Sequence, residues 1–276
     1  MGFSEELRIK FKQIVNQRCG LYFKDYDFKD LEKAIRQRMS QLKIESALVY
    51  YNALLFSETK EDEFRELLNL LTVNHTYFFR NEPQFKALKE KILPEIITAK
   101  LNQKSSKPSL RIWSAGCSTG EEPYTIAMIV KELIPDLENW DVHILATDAS
   151  MRALDEASKG VYGAMAMRLT PQDYTDKYFD LLAKDKYKIH DQVKQLVKFG
   201  FLNLMDEFYP QGYNVIFCRN VVIYFTEEAK DKLYRRFLEA LRPGGVLFVG
   251  GTEAILNFRD IGFQHYLPFF YQKPFK

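Results

Sequence analysis

Two glycines, two glutamates and one aspartate carry the first chemical suggestion in this sequence. The stretch WSAGCSTGEEP (113–123) sets Gly116 and Gly120 just after a short apolar run, with Glu121, Glu122 and Pro123 following at once. Glycines there allow a tight turn and a close backbone approach, and proline suits the start of a helix. A second apolar run, VHILATD (142–148), ends on Asp148. An acid about 20–30 residues past a glycine loop is placed to accept hydrogen bonds from ribose hydroxyls, so loop and acid together suggest an adenosine-containing cofactor. The spacing is not GxGxxG, so a dinucleotide pyrophosphate seat is not indicated. Glu121 and Glu122 also crowd the helix start, where a phosphate needs the amides to itself. A carboxylate pair suits a cation, such as the amino group and sulfonium of S-adenosylmethionine. It equally suits a helix dipole, and the residues alone leave both readings open.

The same loop admits a rival. Gly116-Cys117-Ser118-Thr119-Gly120 fits G-x-S-x-G, the nucleophile elbow of α/β hydrolases. Asp206 or Asp260 with His265 could complete a triad. Against this, the motif follows what reads as the first strand of the sheet, and no HGGG-like segment precedes it. Short matches of this kind also arise often by chance.

The elements that would position these residues fall into two patterns. Residues 4–100 read as helical: apolar residues recur at three- and four-residue spacing in Leu7, Phe11, Ile14 and Val15, in Leu31, Ile35, Met39 and Leu42, and again from Glu63 to Leu71. NQKSSKPS (102–109) is polar and reads as a linker. Beyond it, short apolar runs at 110–115, 142–148, 197–202, 213–218 and 245–251 alternate with helical stretches. That alternation predicts an α/β fold with a mostly parallel, doubly wound sheet, and PFFYQKPF (268–275) could return antiparallel. Between 159 and 198 the alternation pauses, and this segment reads as a small inserted subdomain. The expected division is 1–100, helical domain and linker, and 101–276, Rossmann-like catalytic domain.

Bulk properties narrow the classes. Charged residues make up 28% and the net charge is +2, so no global field marks a nucleic-acid binder. Cys19, Cys117 and Cys218 are too few and scattered for a disulfide framework or zinc site, and the odd count without CxxC pairs fits a reducing compartment. Neither signal peptide nor an apolar run of about 20 residues is found, so a cytoplasmic protein without membrane insertion is expected. No metal constellation exists.

With TVNHTYFFRNEPQF, WSAGCSTGEEPYTIA, ATDAS, FCRNVVIYF and LRPGGVLFVGGTE in this order, the chain resembles the CheR family of chemotaxis-receptor methyltransferases over nearly its whole length. The resemblance implies a class I methyltransferase sheet, S-adenosylmethionine as cofactor, S-adenosylhomocysteine as product, and glutamate 5-methyl esters formed on the helical cytoplasmic part of a methyl-accepting chemoreceptor. It also implies roles. Asn74, Thr76 and Arg80 would touch the cofactor from the linker side, with Gly116 in the turn beneath it. Glu122 would hold the amino group, Asp148 the ribose, and Asn203 and Leu204 the adenine. Arg219 and Asn220 would line the methionine end, and Arg80 and Tyr224 would serve catalysis.

Methyl transfer to a carboxylate needs no general base, because glutamate is ionised near neutral pH. Alignment and exclusion of water should therefore carry the rate. Tyr77, Phe78 and Phe79 read as packing, and Cys117 and Cys218 as small buried apolar residues. Lys33, Arg36, Arg38 and Lys43 cluster in LEKAIRQRMSQLK; alone they read as a solvated face, but the resemblance makes them a docking site for an acidic receptor. Some family members grip a receptor's C-terminal peptide tether with a glycine-bearing loop of the insert. Here LLAKDKYKIHDQVKQL has no glycine, so tether-independent action is expected. A monomer is expected. A regulatory module that binds cofactor without catalysis is the alternative within the same fold.

Overall fold

The computed structural model describes residues 3–23, 28–72, 75–103 and 107–275. Four helices come first: α1 (Glu5–Cys19), α2 (Phe28–Gln41), α3 (Ala47–Phe56) and α4 (Lys60–Leu71). The α1 helix begins where Ser4 accepts a hydrogen bond from the Leu7 amide and ends at Gly20, whose φ of 75° only glycine adopts freely. Its Phe11, Ile14 and Val15 join Leu31, Ile35, Tyr50, Leu54, Phe64, Leu67 and Leu68 in one apolar cluster. The three-four spacing in the sequence is thus the buried stripe of a helical bundle.

Residues 82–101 form one further helix, α5 (Glu82–Ala87) and α6 (Leu93–Leu101) joined by a π-helical turn (Leu88–Ile92). Its Phe85, Leu88, Ile92 and Leu93 pack with the sheet, not with the first four helices. The apolar clusters therefore divide near residue 72.

The sheet then alternates with helices: β1 (Ser109–Ala115), α7 (Glu121–Leu133), β2 (Asp141–Asp148) and α8 (Met151–Lys159). Next come β3 (Val161–Gly163), α9 (Ala164–Met167), α10 (Gln172–Tyr178), β4 (Phe179–Ala183), β5 (Lys186–Ile189) and α11 (Asp191–Lys194). The last third holds β6 (Val197–Phe201), β7 (Tyr213–Cys218), α12 (Glu227–Ala240), β8 (Leu241–Val249), α13 (Phe258–Ile261), β9 (Gln264–Leu267) and β10 (Phe270–Gln272). Seven strands make one sheet in the order β6-β2-β1-β7-β8-β10-β9. β6, β2, β1, β7 and β8 are parallel, and β10 returns antiparallel between β8 and β9. All six residues of the central β7 are buried, as a strand covered on both faces requires. The order reverses between β1 and β7, which opens a crevice at the strands' carboxyl ends.

The expected insert contains a separate antiparallel sheet, β3-β5-β4. β4 and β5 are joined by Lys184 and Asp185, with Asp185 at φ 58°. No helix among the described residues is long and apolar enough to cross a membrane.

Candidate functional site

A cavity of about 660 Å³ lies in the crevice, between the sheet's carboxyl ends and the helical bundle, a size suited to a cofactor-sized ligand. Its floor is the turn after β1. Gly116 at φ 80° and Gly120 at φ 94° make this turn: a Cβ on Gly116 would strike Val221, and one on Gly120 would come 2.8 Å from the Ala157 Cβ. The Gly116 and Cys117 amides donate to the Thr147 carbonyl at 2.8 and 2.9 Å, which ties the β1 turn to the end of β2.

Asp148 stands at that end, 9% exposed. Its Oδ2 accepts from the Ser118 amide at 2.8 Å and its Oδ1 from the Ser150 amide at 2.9 Å. Burial raises its pKa from the ordinary 3.8, while these amide bonds oppose the rise. Each oxygen keeps lone-pair capacity for a hydroxyl.

Glu122, the second residue of α7, accepts from the Ser114 hydroxyl at 2.7 Å and forms an ion pair with Arg219 at 3.1 Å. The Arg219 side chain is 3% exposed and leans over the Phe85 ring at 5.2 Å. Burial pushes the Glu122 carboxyl up and the Arg219 guanidinium down; each holds the other charged against it. Arg219 also donates to the Arg80 carbonyl at 2.6 Å, so the carboxylate on the floor indirectly holds the main chain at the mouth. Glu121, by contrast, turns away, accepting from the Thr119 hydroxyl at 2.7 Å, and does not line the cavity.

Asn220 follows β7 at φ 59°, its amide donating to Glu253 Oε2 at 2.7 Å; the Gly250 amide reaches the same oxygen at 2.7 Å. Glu253 thus clamps the ends of β7 and β8 together. Phe79 (56°), Asn81 (68°) and Ser118 (49°) share this left-handed backbone. Ser118 and Asn220 line the cavity and Phe79 and Asn81 flank its lining residue Arg80; at about 1–3 kcal/mol each, they mark a place where geometry is held against local preference.

The mouth is built differently. The Arg80 guanidinium donates to the His75 carbonyl at 2.7 Å and makes no ion pair among the described residues. Tyr224 is 46% exposed, on a 3-10 turn (Val222–Tyr224) whose carbonyl accepts from the Tyr22 amide at 2.7 Å. From α2, Asp30, Lys33, Ala34 and Gln37 form a wall.

Of the residues expected from sequence, Thr76, Arg80, Gly116, Glu122, Asp148, Asn203, Leu204, Arg219, Asn220 and Tyr224 all line this cavity, as does Lys33. Asn74 lies outside the described residues. The Asn203 side chain is committed on both sides, donating to the Arg18 carbonyl at 2.6 Å and accepting from the Met205 amide at 3.0 Å; it joins α1 to the cavity wall. The basic quartet divides. Arg38 is turned into the bundle, where it forks onto Glu63 at 2.9 and 2.6 Å beside Tyr50. Arg36 is exposed but paired with Glu32 at 2.6 Å, and Lys43 is exposed just past α2 at φ 56°. Helical rotation explains the split, since residue 38 faces away from 33 and 36.

The thiols of Cys117 and Cys218 are buried and pushed well up in pKa by that burial, as small apolar residues would be. The hydrolase arrangement does not form. The Ser118 hydroxyl has no partner among the described residues, and His265 sits on β9, four strands and about 19 Å from β1. Ser114, Phe85 and Glu253 fall inside the quoted motifs but were given no role, and the strap of Leu21, Tyr22 and Phe23 was not foreseen because it carries no motif of its own.

A parallel sheet with a glycine turn after its first strand and an acid ending its second defines a nucleoside-cofactor protein. Comparison with known proteins makes this specific. Residues 74–266 match the CheR methyltransferase, SAM binding domain, and residues 9–72 match the CheR methyltransferase, all-alpha domain. The chain is 39% identical over 226 residues to a chemotaxis protein methyltransferase of Borreliella burgdorferi, covering 81% of this chain and 78% of that one. It is 34% identical over 266 residues to a chemotaxis protein methyltransferase of Listeria monocytogenes, covering 95% of each. The chain belongs to the CheR methyltransferase family and is an S-adenosylmethionine-dependent chemotaxis methyltransferase.

The cavity suits that cofactor. Glu122 offers a carboxylate for an ammonium group, and Asp148 offers spare acceptor capacity for hydroxyls.

Proposed function

We propose that this enzyme forms methyl esters on glutamate side chains of the cytoplasmic helical region of a chemoreceptor. The observation that carries this reading is Arg80 at the cavity mouth, with no acid partner among the described residues, in a cavity that the half-exposed Tyr224 also lines. A guanidinium without an acid partner is suited to receive a carboxylate through its planar fork. The cofactor, when bound, supplies a methyl group on a sulfonium.

The residues divide the remaining work. Glu122 with Ser114, and Asp148, hold the cofactor's polar groups. Arg80 orients the incoming carboxylate, and the Tyr224 hydroxyl donates to the oxygen that does not attack. No residue need remove a proton. The apolar wall of Phe85, Leu202 and Leu204 keeps water from the reacting groups. Lys33, on the wall formed by α2, attracts the acidic partner, with Arg36 and Lys43 further out.

The reading includes a cytoplasmic monomer that acts without a receptor tether. The two-residue turn between β4 and β5 supports the last point, since it leaves no long loop there to grip a peptide.

The test is transfer of labelled methyl from S-adenosylmethionine to a chemoreceptor cytoplasmic fragment. Base-labile label, released as methanol and mapped to glutamate, is expected; base-stable label or none sinks the reading. Fragments with and without their C-terminal tails should react at equal rates, and a marked loss without the tail removes the tether claim.

A further inference from the structure

A buried polar pair joins the helical bundle to the sheet domain. Asn69 of α4 is 8% exposed and Ser150 is fully buried. The Ser150 hydroxyl donates to Asn69 Oδ1 at 2.9 Å and accepts from the Ala153 amide at 3.2 Å, capping α8. The Ser150 amide in turn donates to Asp148 Oδ1 at 2.9 Å. One serine therefore joins α4, the start of α8 and the carboxylate on the cavity floor.

Asn69 stands among leucines that pack the bundle or face the cavity: Leu67, Leu68, Leu70 and Leu71. Burying an amide in such a row is unfavourable unless it is partnered, and a leucine there would serve helix packing better. Leu68, Leu70, Leu71 and Thr72 line the cavity, but Asn69 does not. Its effect on a ligand must pass through Ser150.

We propose that Asn69 is a positioning residue for the cofactor site. By holding the Ser150 hydroxyl it fixes the turn 148–150, and with it the direction of the Asp148 carboxylate. Without that acceptor the hydroxyl must find another, and the Asp148 carboxylate two residues earlier is one. The helical bundle thereby sets the cofactor affinity of a site on the sheet. By reciprocity, cofactor binding stabilises the seating of α4. The inference rests on the proposed assignment of Asp148 to the ribose.

The experiment is calorimetric titration of the full chain with S-adenosylhomocysteine, with Asn69→Ala, Ser150→Ala, the double variant, Ser150→Thr and Asp148→Ala. Thermal unfolding of each checks that folded proteins are compared. Ser150→Ala probes the same link should Asn69→Ala fail to fold. Asn69→Ala is expected to weaken binding about five-fold, the size of one ordinary hydrogen bond. Ser150→Ala weakens it at least as much, Ser150→Thr restores it, and the double variant binds like Ser150→Ala alone. A helix-packing role would leave the affinity of the folded Asn69→Ala variant unchanged, and that outcome overturns the relay. Additive losses in the double variant overturn it too. If Asp148→Ala binds normally, the ribose assignment falls and takes the relay with it; if Asp148→Ala loses binding while Asn69→Ala does not, only the relay falls.

Discussion

On the cavity floor, Arg219 and Asp148 are buried, the Glu122 side chain is 13% exposed, and each is held by hydrogen bonds or an ion pair before any ligand arrives. At the mouth, Arg80 and Lys33 make no ion pair among the described residues and Tyr224 is 46% exposed. The floor can be preorganised because its ligand is small and invariant. If the mouth receives a chemoreceptor, as proposed, its charges stay hydrated until docking strips them. The contrast predicts that floor variants alter cofactor affinity and stability, whereas mouth variants alter turnover and docking.

The sharpest break of the floor is Arg219→Met. It leaves the largely enclosed Glu122 without its ion-pair partner, a loss of about 3–5 kcal/mol. For a chain of this size that lowers the unfolding midpoint by about 6–20 °C, measured by calorimetry without ligand. A shift below about 2 °C would mean that water reaches Glu122 and the floor is not dry.

At the mouth, Arg80→Ala is expected to cut kcat about 10²–10³-fold, as loss of one preorganised charged donor does. Affinity for S-adenosylhomocysteine should fall far less, by under about ten-fold or 1.4 kcal/mol, the share of a cofactor contact made only from the linker side. Tyr224→Phe acts in the same direction more weakly. A large loss of cofactor affinity in Arg80→Ala would place the residue on the floor instead and erase the distinction.

Asp148→Ala removes a charged acceptor and should weaken S-adenosylhomocysteine by about 10–150-fold. Acid does the same reversibly. Burial raises Glu122 from 4.5 and Asp148 from 3.8, so each takes up a proton at higher pH than an ordinary carboxylate. Cofactor affinity should therefore begin to fall, on acidification, above pH 4.5. Stability of the unliganded protein carries the opposite sign. The folded state binds these protons more tightly than the unfolded chain, so their contribution favours folding at low pH and is lost as pH rises through the raised values. Asp148→Asn and Glu122→Gln each flatten part of both curves. Parallel curves for affinity and stability would contradict the assignment.

The sheet was legible because its strands are buried runs between turn residues, and β1, β2, β6, β7 and the start of α7 lie where those runs stand. The floor was legible for the same reason: glycine turn and strand-end acid are local patterns. What the sequence did not show is contact across the chain. Nothing around Glu253 indicates that it clamps Asn220 and Gly250, and nothing in LLNLLT indicates that Asn69 meets Ser150, 81 positions away. The basic cluster of α2 shows the same limit from the other side. Four cations close in sequence look like one surface, yet a helix turns them apart, and Arg38 is taken up by Glu63, 25 positions on.

Lys33 gives the smallest effect and the finest test of the mouth. Single exposed charges are worth at most about 1 kcal/mol and are screened by salt. Lys33→Glu should therefore raise KM for a receptor fragment only about two- to five-fold at low salt, leaving kcat and cofactor affinity unchanged. The difference should fade as salt approaches about 1 M, where the Debye length shrinks to 3 Å. Arg36 faces the same solvent but is paired with Glu32 at 2.6 Å, so Arg36→Glu should alter KM no more than Lys33→Glu does. If the change in KM at Lys33 survives high salt, Lys33 makes a desolvated contact with the docked partner and the wall formed by α2 belongs with the floor, built in advance for one occupant.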